Sequence, residues 1–231
     1  MQKPRFVNNE IYHIYNRGVE KRKIFLDKNN YLRFIHDLFE FNDEAPAPHP
    51  YYKSSEVQPP KIKRIEREPR KLLVEILIFV LMPNHFHLLL KQKQEGGIIK
   101  FMQKLGTGYT MHFNQKYNRV GGLCQGRFKA VHIKNDAHFI HLPYYLHSNP
   151  LDLKFPEWRE NEITSYKEAV KFLENYKWSS FADYIGKKNF PSVTSREFLL
   201  EFFGGPKNYK EDTMEWLKSI NLEGIKDLML E

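Results

Sequence analysis

Residues 72–91 constrain this chain more than any other stretch. Leu72 to Leu81 is almost continuously apolar, and Ile76, Ile78 and Val80 are β-branched, so it reads as a buried strand. Met82-Pro83-Asn84 reads as a tight turn, because proline fixes φ and asparagine tolerates turn geometry. His85 to Lys91 then reads as a second strand, and the two form a hairpin.

The other elements are placed around that hairpin. Residues 11–17, Ile-Tyr-His-Ile-Tyr-Asn-Arg, alternate apolar and polar and end at Gly18, which predicts a first strand. Asp27 is a candidate cap for a helix over 29–41, with Tyr31, Phe34, Ile35, Leu38 and Phe39 on one face. From Gly97 to about Tyr117 the apolar residues recur every three or four positions, which predicts a helix. Leu123 to Lys134 reads as another strand, and Asp136 as the N-cap of a helix over 137–148 that Pro150 stops. Residues 152–231 read as a separate, mostly helical extension, with a capping box at Ser165 and Glu168. Strands and helices intermix without strict βαβ spacing, so the expectation is an α+β fold with a largely antiparallel sheet. The domain reading is 1–151 and 152–231.

Between the first helix and the hairpin lies a break. Pro46, Pro48, Pro50, Pro59 and Pro60 make 43–60 a loop or insertion. Lys61, Lys63, Arg64, Arg67, Arg70 and Lys71 follow it, either as a phosphate-contacting arm or as a solvated charged loop. The formal net charge of +8 favours a polyanionic partner, and aromatics make up 15% of the chain, enough to offer stacking faces to unpaired bases. No apolar run approaches the roughly 20 residues of a membrane span, and Met1-Gln2-Lys3-Pro4-Arg5 leads into no apolar signal region. Cys124 is the only cysteine, which excludes an intramolecular disulfide and a cysteine-rich zinc site. The expected location is cytoplasmic and nucleoid-associated.

The candidate chemistry centres on His85-Phe86-His87. Residues i and i+2 of a strand share a face, so two imidazoles can grip one divalent ion while Phe86 packs on the other side. Ten histidines make a chance His-x-His expected about 0.4 times, so the pair needs support. Tyr145 and Asn149 give it, since four residues apart on a helix they share a face. A phenol is a poor nucleophile near pH 7, and a metal ion with an oriented phosphate makes its attack feasible. Asn149 offers an oxygen ligand. Tyr144 stands beside Tyr145 and leaves the choice of nucleophile open, with the spacing to Asn149 favouring Tyr145. Arg127 and Lys129 alternate along the expected strand and are candidate phosphate contacts. His13, His132, His138 and His147 read as structural, and Cys124 as a small buried hydrophobe.

Taken together, these stretches resemble a known family. Leu81-Met82-Pro83-Asn84-His85-Phe86-His87-Leu88-Leu89 is similar to the signature of the single-tyrosine HUH transposases, and within them to the REP-associated tyrosine transposase branch of the insertion-sequence transposase-like superfamily. Tyr12-His13-Ile14-Tyr15-Asn16-Arg17-Gly18, Gly126-Arg127-Phe128-Lys129 and Tyr145-Leu146-His147-Ser148-Asn149-Pro150 resemble further segments of that branch, in the same order. Trp178-Ser179-Ser180 with Tyr184, and Phe202-Phe203-Gly204-Gly205, resemble its C-terminal segments.

The resemblance implies a ferredoxin-like antiparallel sheet with the histidine strand central, and a helical C-terminal extension. It implies Mg²⁺ or Mn²⁺ held by His85 and His87, with Asn149 as third ligand, and Tyr145 attacking a DNA phosphate to give a 5′-phosphotyrosine. Substrates in the family are single strands folded as hairpins, and its members occur as monomers or homodimers. Lys63, Arg64, Arg67, Arg127 and Lys129 are the expected DNA contacts. The chain departs from the family at Cys124, where tryptophan is common, and in the insertion at 43–60. Two other readings compete: a domesticated protein that binds hairpins without cutting them, and a small-molecule metallohydrolase. The second lacks a third His, Asp or Glu at motif spacing, and leaves the basic charge without a role.

Overall fold

In the computed structural model, residues 4–46 and 69–220 are described; Lys63, Arg64 and Arg67 lie outside them. The chain runs β1 (Ile11–Arg17), α1 (Lys28–Glu40), β2 (Val74–Met82), β3 (His85–Gln92), α2 (Gly97–Lys116), β4 (Lys129–His132) and α3 (Asp136–Ser148). It continues through two 3₁₀ turns, Asn149–Leu153 and Pro156–Glu160, into α4 (Tyr166–Asn175), α5 (Phe181–Tyr184), α6 (Glu197–Phe202) and α7 (Pro206–Lys218). The four strands form one sheet in the order β2-β3-β1-β4, with every neighbouring pair antiparallel. This is the expected α+β, ferredoxin-like arrangement, with the histidine strand β3 in the middle.

Each face of the sheet has its own apolar cluster. Tyr12, Ile14, Ile76, Phe79, Leu81, Phe86, Leu88 and Leu90 pack against α1 and α2. Leu77, Ile78, Val80, Met82 and Leu89 pack against α3 and the helical extension. Strict alternation fails once, at Leu77. Ile76 pairs with Leu90 and Ile78 with Leu89, so Leu77 is a bulge residue with no partner of its own. The bulge turns Leu77 and Ile78 to the same cluster, and the Leu77 carbonyl accepts a bond from the Tyr184 hydroxyl at 2.8 Å.

Local chemistry fixes the helix starts. Asp27 caps α1 by accepting from the Asn30 amide at 3.0 Å, and the Asn30 side chain accepts in return from the Asp27 amide at 3.3 Å. Lys116 and Tyr117, at the end of α2, both bond Asp27 and tie the two helices together. Where α2 passes the end of α1 there is no room for a side chain. A Cβ on Gly108 would stand 2.4 Å from Cε2 of Phe41, whereas one on Gly106 would meet nothing within 4 Å. Gly108→Ala is therefore expected to lose about 1–3 kcal/mol through forced repacking. Gly106→Ala, in the same helix, is expected to gain up to about 1 kcal/mol. Denaturant titration of both variants checks the contrast.

The extension covers what the sheet leaves open. The edge of β2 is paired by Trp178-Ser179-Ser180: the Leu81 amide donates to the Trp178 carbonyl at 2.9 Å, and the Ser180 amide donates to the Phe79 carbonyl at 3.0 Å. His147 is buried with both ring nitrogens engaged, by Tyr209 at 2.7 Å and Ser180 at 2.9 Å, so its structural reading holds. Trp158, Leu173, Tyr184, Tyr209 and Leu217 share one cluster with Val80, Met82 and α3.

Two local expectations need correction. The expected strand over 123–134 shrinks to Lys129–His132, because Gly126 turns the chain at φ 79°. The cap of α3 is Asn135 rather than Asp136, its side chain accepting from the His138 amide at 2.7 Å. The end of α3 is as expected: the α-helix stops at Ser148, and Pro150 sits early in the 3₁₀ turn that follows.

Candidate active site

The face of the sheet toward α3 carries the candidate chemistry. Cross-strand pairing sets Tyr15 opposite His87 and Arg17 opposite His85, so these four side chains project from the same face. His13 stands one pleat further along. The His85 and His87 rings lie with centroids 4.9 Å apart at 90°. His85 Nδ1 pairs with Oδ1 of Asn84 at 2.6 Å, and His87 Nδ1 pairs with Nε2 of His13 at 3.0 Å. His87 is only 3% exposed. Its Nε2 is buried and has no hydrogen-bond partner among the described residues.

An orphaned buried ring nitrogen is costly unless something occupies its lone pair. Burial, then the positive field of Arg17 among other charges, pushes His85 down to about 4. Burial first, then His85, His13, Arg159 and Arg17, hold His87 well below the usual histidine range. Both imidazoles are therefore neutral near pH 7, which is the form that ligates a metal. The contact from His13 is the kind of outer bond that fixes a ligand's tautomer. His13 is thus not the isolated structural histidine expected from the sequence.

Helix α3 brings the second half. Tyr145 and Asn149 are each 1% exposed. Asn149 closes α3, and its Nδ2 reaches back to the Tyr145 carbonyl at 2.9 Å and the Leu146 carbonyl at 3.3 Å, which leaves Oδ1 to accept from outside the helix. Tyr144 points elsewhere. Its ring lies among Phe203, Tyr209 and Trp216, and its hydroxyl donates to Asp212 at 3.4 Å.

Arg159 joins these groups, and sequence reasoning missed it. Its Nη1 donates to the Tyr145 hydroxyl at 3.1 Å, and its Nη2 donates to Asn149 Oδ1 at 3.2 Å. Asp152 holds the same guanidinium in a fork, Nε to Oδ1 at 2.9 Å and Nη2 to Oδ2 at 2.8 Å. Burial works against the Arg159 charge, yet Asp152 and Tyr145 more than offset it and hold its pKa above the usual arginine value. No periodicity pointed to Arg159, because it reaches the site through two 3₁₀ turns. His13, Tyr15 and Arg17 did carry a signal, the alternation of β1.

Among the described residues, no three His, Cys, Asp or Glu side chains group to hold a metal ion. The side chains here that could hold a metal ion are the His85 and His87 rings and the neutral oxygen Asn149 Oδ1. Arg127 and Lys129 do not share a face. Lys129 pairs with Tyr15 across β1 and sets its Nζ 5.8 Å from the Tyr15 ring, on the histidine face. Arg127 is exposed in the loop before β4 and lines a cavity of about 710 Å³ with Phe34, Phe86 and Phe128, on the α1–α2 face. Arg70, from the basic stretch, stacks on Phe39 at 3.6 Å and donates to its carbonyl at 2.7 Å.

The model of one protein family, Transposase IS200 like, matches residues 55–149, about two fifths of the chain. Over that stretch the chain is similar to IS200-like transposases, as its motifs implied. The matched segment contains His85, His87, Tyr145 and Asn149 and stops short of Asp152 and Arg159. Nothing matches among curated proteins. A solved structure described as "Structure of the REP associates tyrosine transposase bound to a REP hairpin" aligns over 84% of this chain and 90% of its own, at 14% identity and a TM-score of 0.49. No helix among the described residues is long and apolar enough to cross a membrane.

Proposed function

We propose that this protein nicks and rejoins single-stranded, hairpin-forming DNA through a covalent 5′-phosphotyrosine on Tyr145. The observation that carries the reading is the buried Nε2 of His87, without a partner among the described residues and beside the His85 ring, on the sheet face packed against the helix of Tyr145 and Asn149. The transposase-like character of 55–149 supports it.

His85, His87 and Asn149 would hold a divalent cation, Mg²⁺ or Mn²⁺. When bound, the ion supplies neutralisation and polarisation of a phosphate oxygen. The chain's own residues do the rest. Tyr145 Oη forms a bond to phosphorus as the bond from phosphorus to the 3′-oxygen breaks, and the phenol proton ends on that 3′-oxygen. The phosphotyrosine keeps the energy of the original ester, so a 3′-hydroxyl from another strand can reverse the step and rejoin DNA. His13 orients His87, and α3 holds Tyr145 and Asn149 one turn apart. Lys129, on the histidine face, and the net charge of +8 suit a phosphate backbone.

Labelling each end of a hairpin oligonucleotide in turn tests this reading. With Mg²⁺ or Mn²⁺, label 3′ of the cut is expected to stay on the protein through denaturation. Label 5′ of the cut is expected in a released strand with an extendable 3′-hydroxyl. Binding of the hairpin with no label on the protein under either ion would favour a non-cleaving hairpin-binding protein instead.

A further inference from the structure

We propose that Arg159 is a catalytic residue of this site: it orients the Tyr145 hydroxyl and receives a non-bridging oxygen of the phosphate that Tyr145 attacks. The inference rests on the function proposed above. It assigns a role to the C-terminal extension, since Asp152 and Arg159 both lie beyond the transposase-like segment.

Arg159 Nη1 is 3.1 Å from Tyr145 Oη, the oxygen that must come within about 3–3.5 Å of phosphorus in a near-attack geometry. A guanidinium bonded to the attacking oxygen therefore lies beside the phosphate under attack. Its Nη1, beside the tyrosine oxygen, is the donor nearest that phosphate, and its charge opposes the negative charge that phosphoryl transfer spreads over the phosphate oxygens.

The Arg159 guanidinium is also preorganised. Asp152 takes two bonds from Arg159 and a third from the Trp158 indole, at 2.6 Å. The guanidinium also lies 4.7 Å from the centroid of the Trp158 ring, which is fully buried. Its side chain nevertheless keeps 18% exposure, enough for a ligand to reach it. A donor fixed before the reaction has no reorganisation to undergo during it, which is where such groups gain their effect. An ion pair that only stapled the 3₁₀ turns to α3 would not need to touch Tyr145 Oη and Asn149 Oδ1 at once, and here it touches both.

The test uses the full chain with a labelled hairpin oligonucleotide and Mn²⁺, and reads hairpin affinity separately from the single-turnover rate of adduct formation. Arg159→Ala is expected to bind the hairpin within about threefold of the parent but to form adduct at least about 100-fold more slowly. Millimolar guanidinium is expected to restore about tenfold of that loss, and Arg159→Lys to fall between the two. Asp152→Asn keeps the guanidinium and frees its anchor, so a drop of about tenfold is expected there, which serves if Arg159→Ala does not fold. An Arg159→Ala rate within about threefold of the parent overturns the role of Arg159 and leaves the Tyr145 reading standing. A slow Arg159→Ala that neither guanidinium nor Arg159→Lys restores marks a structural staple and overturns it too. Absence of adduct in the parent protein sinks the Tyr145 reading, and this inference with it.

Discussion

Tyr145→Phe is expected to abolish the covalent DNA adduct while leaving hairpin binding in place, a loss of adduct rate on the order of 10³-fold or more. The substitution removes one oxygen from a buried ring. That ring keeps its packing against Trp158, at 6.0 Å between centroids, and its place in the cluster under the sheet. The lost bond from Arg159 costs about 1–3 kcal/mol at most, because the guanidinium keeps Asp152 and Asn149. Folding therefore survives and the chemistry does not. The companion variant Tyr144→Phe separates the two adjacent tyrosines. Its hydroxyl is directed to Asp212 on α7, and the helix turn between neighbouring residues sends it away from Asn149. Tyr144→Phe is expected to form adduct at the parent rate within about threefold, as gel-resolved covalent complex reports directly.

His87→Ala is expected to lose the divalent-ion dependence itself, with adduct formation falling on the order of 10²–10³-fold. Its Nε2 is buried and has no hydrogen-bond partner among the described residues, so its removal deletes a ligand atom that no bond of the fold uses. Only the contact to His13 Nε2 goes with it. Calorimetric titration with Mn²⁺ provides a readout independent of DNA. The parent is expected to bind one equivalent and His87→Ala none. His85→Ala is expected to behave the same way, and, being less deeply buried, serves as the variant with less risk to folding. Undiminished Mn²⁺ binding in both would remove the histidine pair from the site.

Some of this was legible in the sequence for a physical reason. A strand has a side-chain period of two, so His85 and His87 had to share a face, and they do. A helix brings residues four apart together, and Asn149 does reach back to Tyr145. The same period in β1 placed His13, Tyr15 and Arg17 on the histidine face, although only His13 had been singled out, and as structural. Other features had no local signature. The bulge at Leu77 was hidden because β2 is apolar almost throughout, and a run without alternation carries no phase to break. The shortness of β4 follows from one backbone angle at Gly126, and it separates Arg127 from Lys129, which alternation alone had joined. Arg159 depends on the path of the chain after α3. Its partners lie seven, ten and fourteen residues away, spacings that belong to no regular element.

The central claim is that Tyr145 takes the 5′ phosphate of a cut single strand. The most direct measurement is mass spectrometric mapping of the covalent product formed on a hairpin oligonucleotide with Mg²⁺, with fragmentation that resolves Tyr144 from Tyr145. The expected product is a nucleotide attached through its 5′ phosphate to Tyr145, formed only when the divalent ion is present. Attachment to Tyr144 or to any other residue, or the same adduct formed in excess chelator, would contradict it.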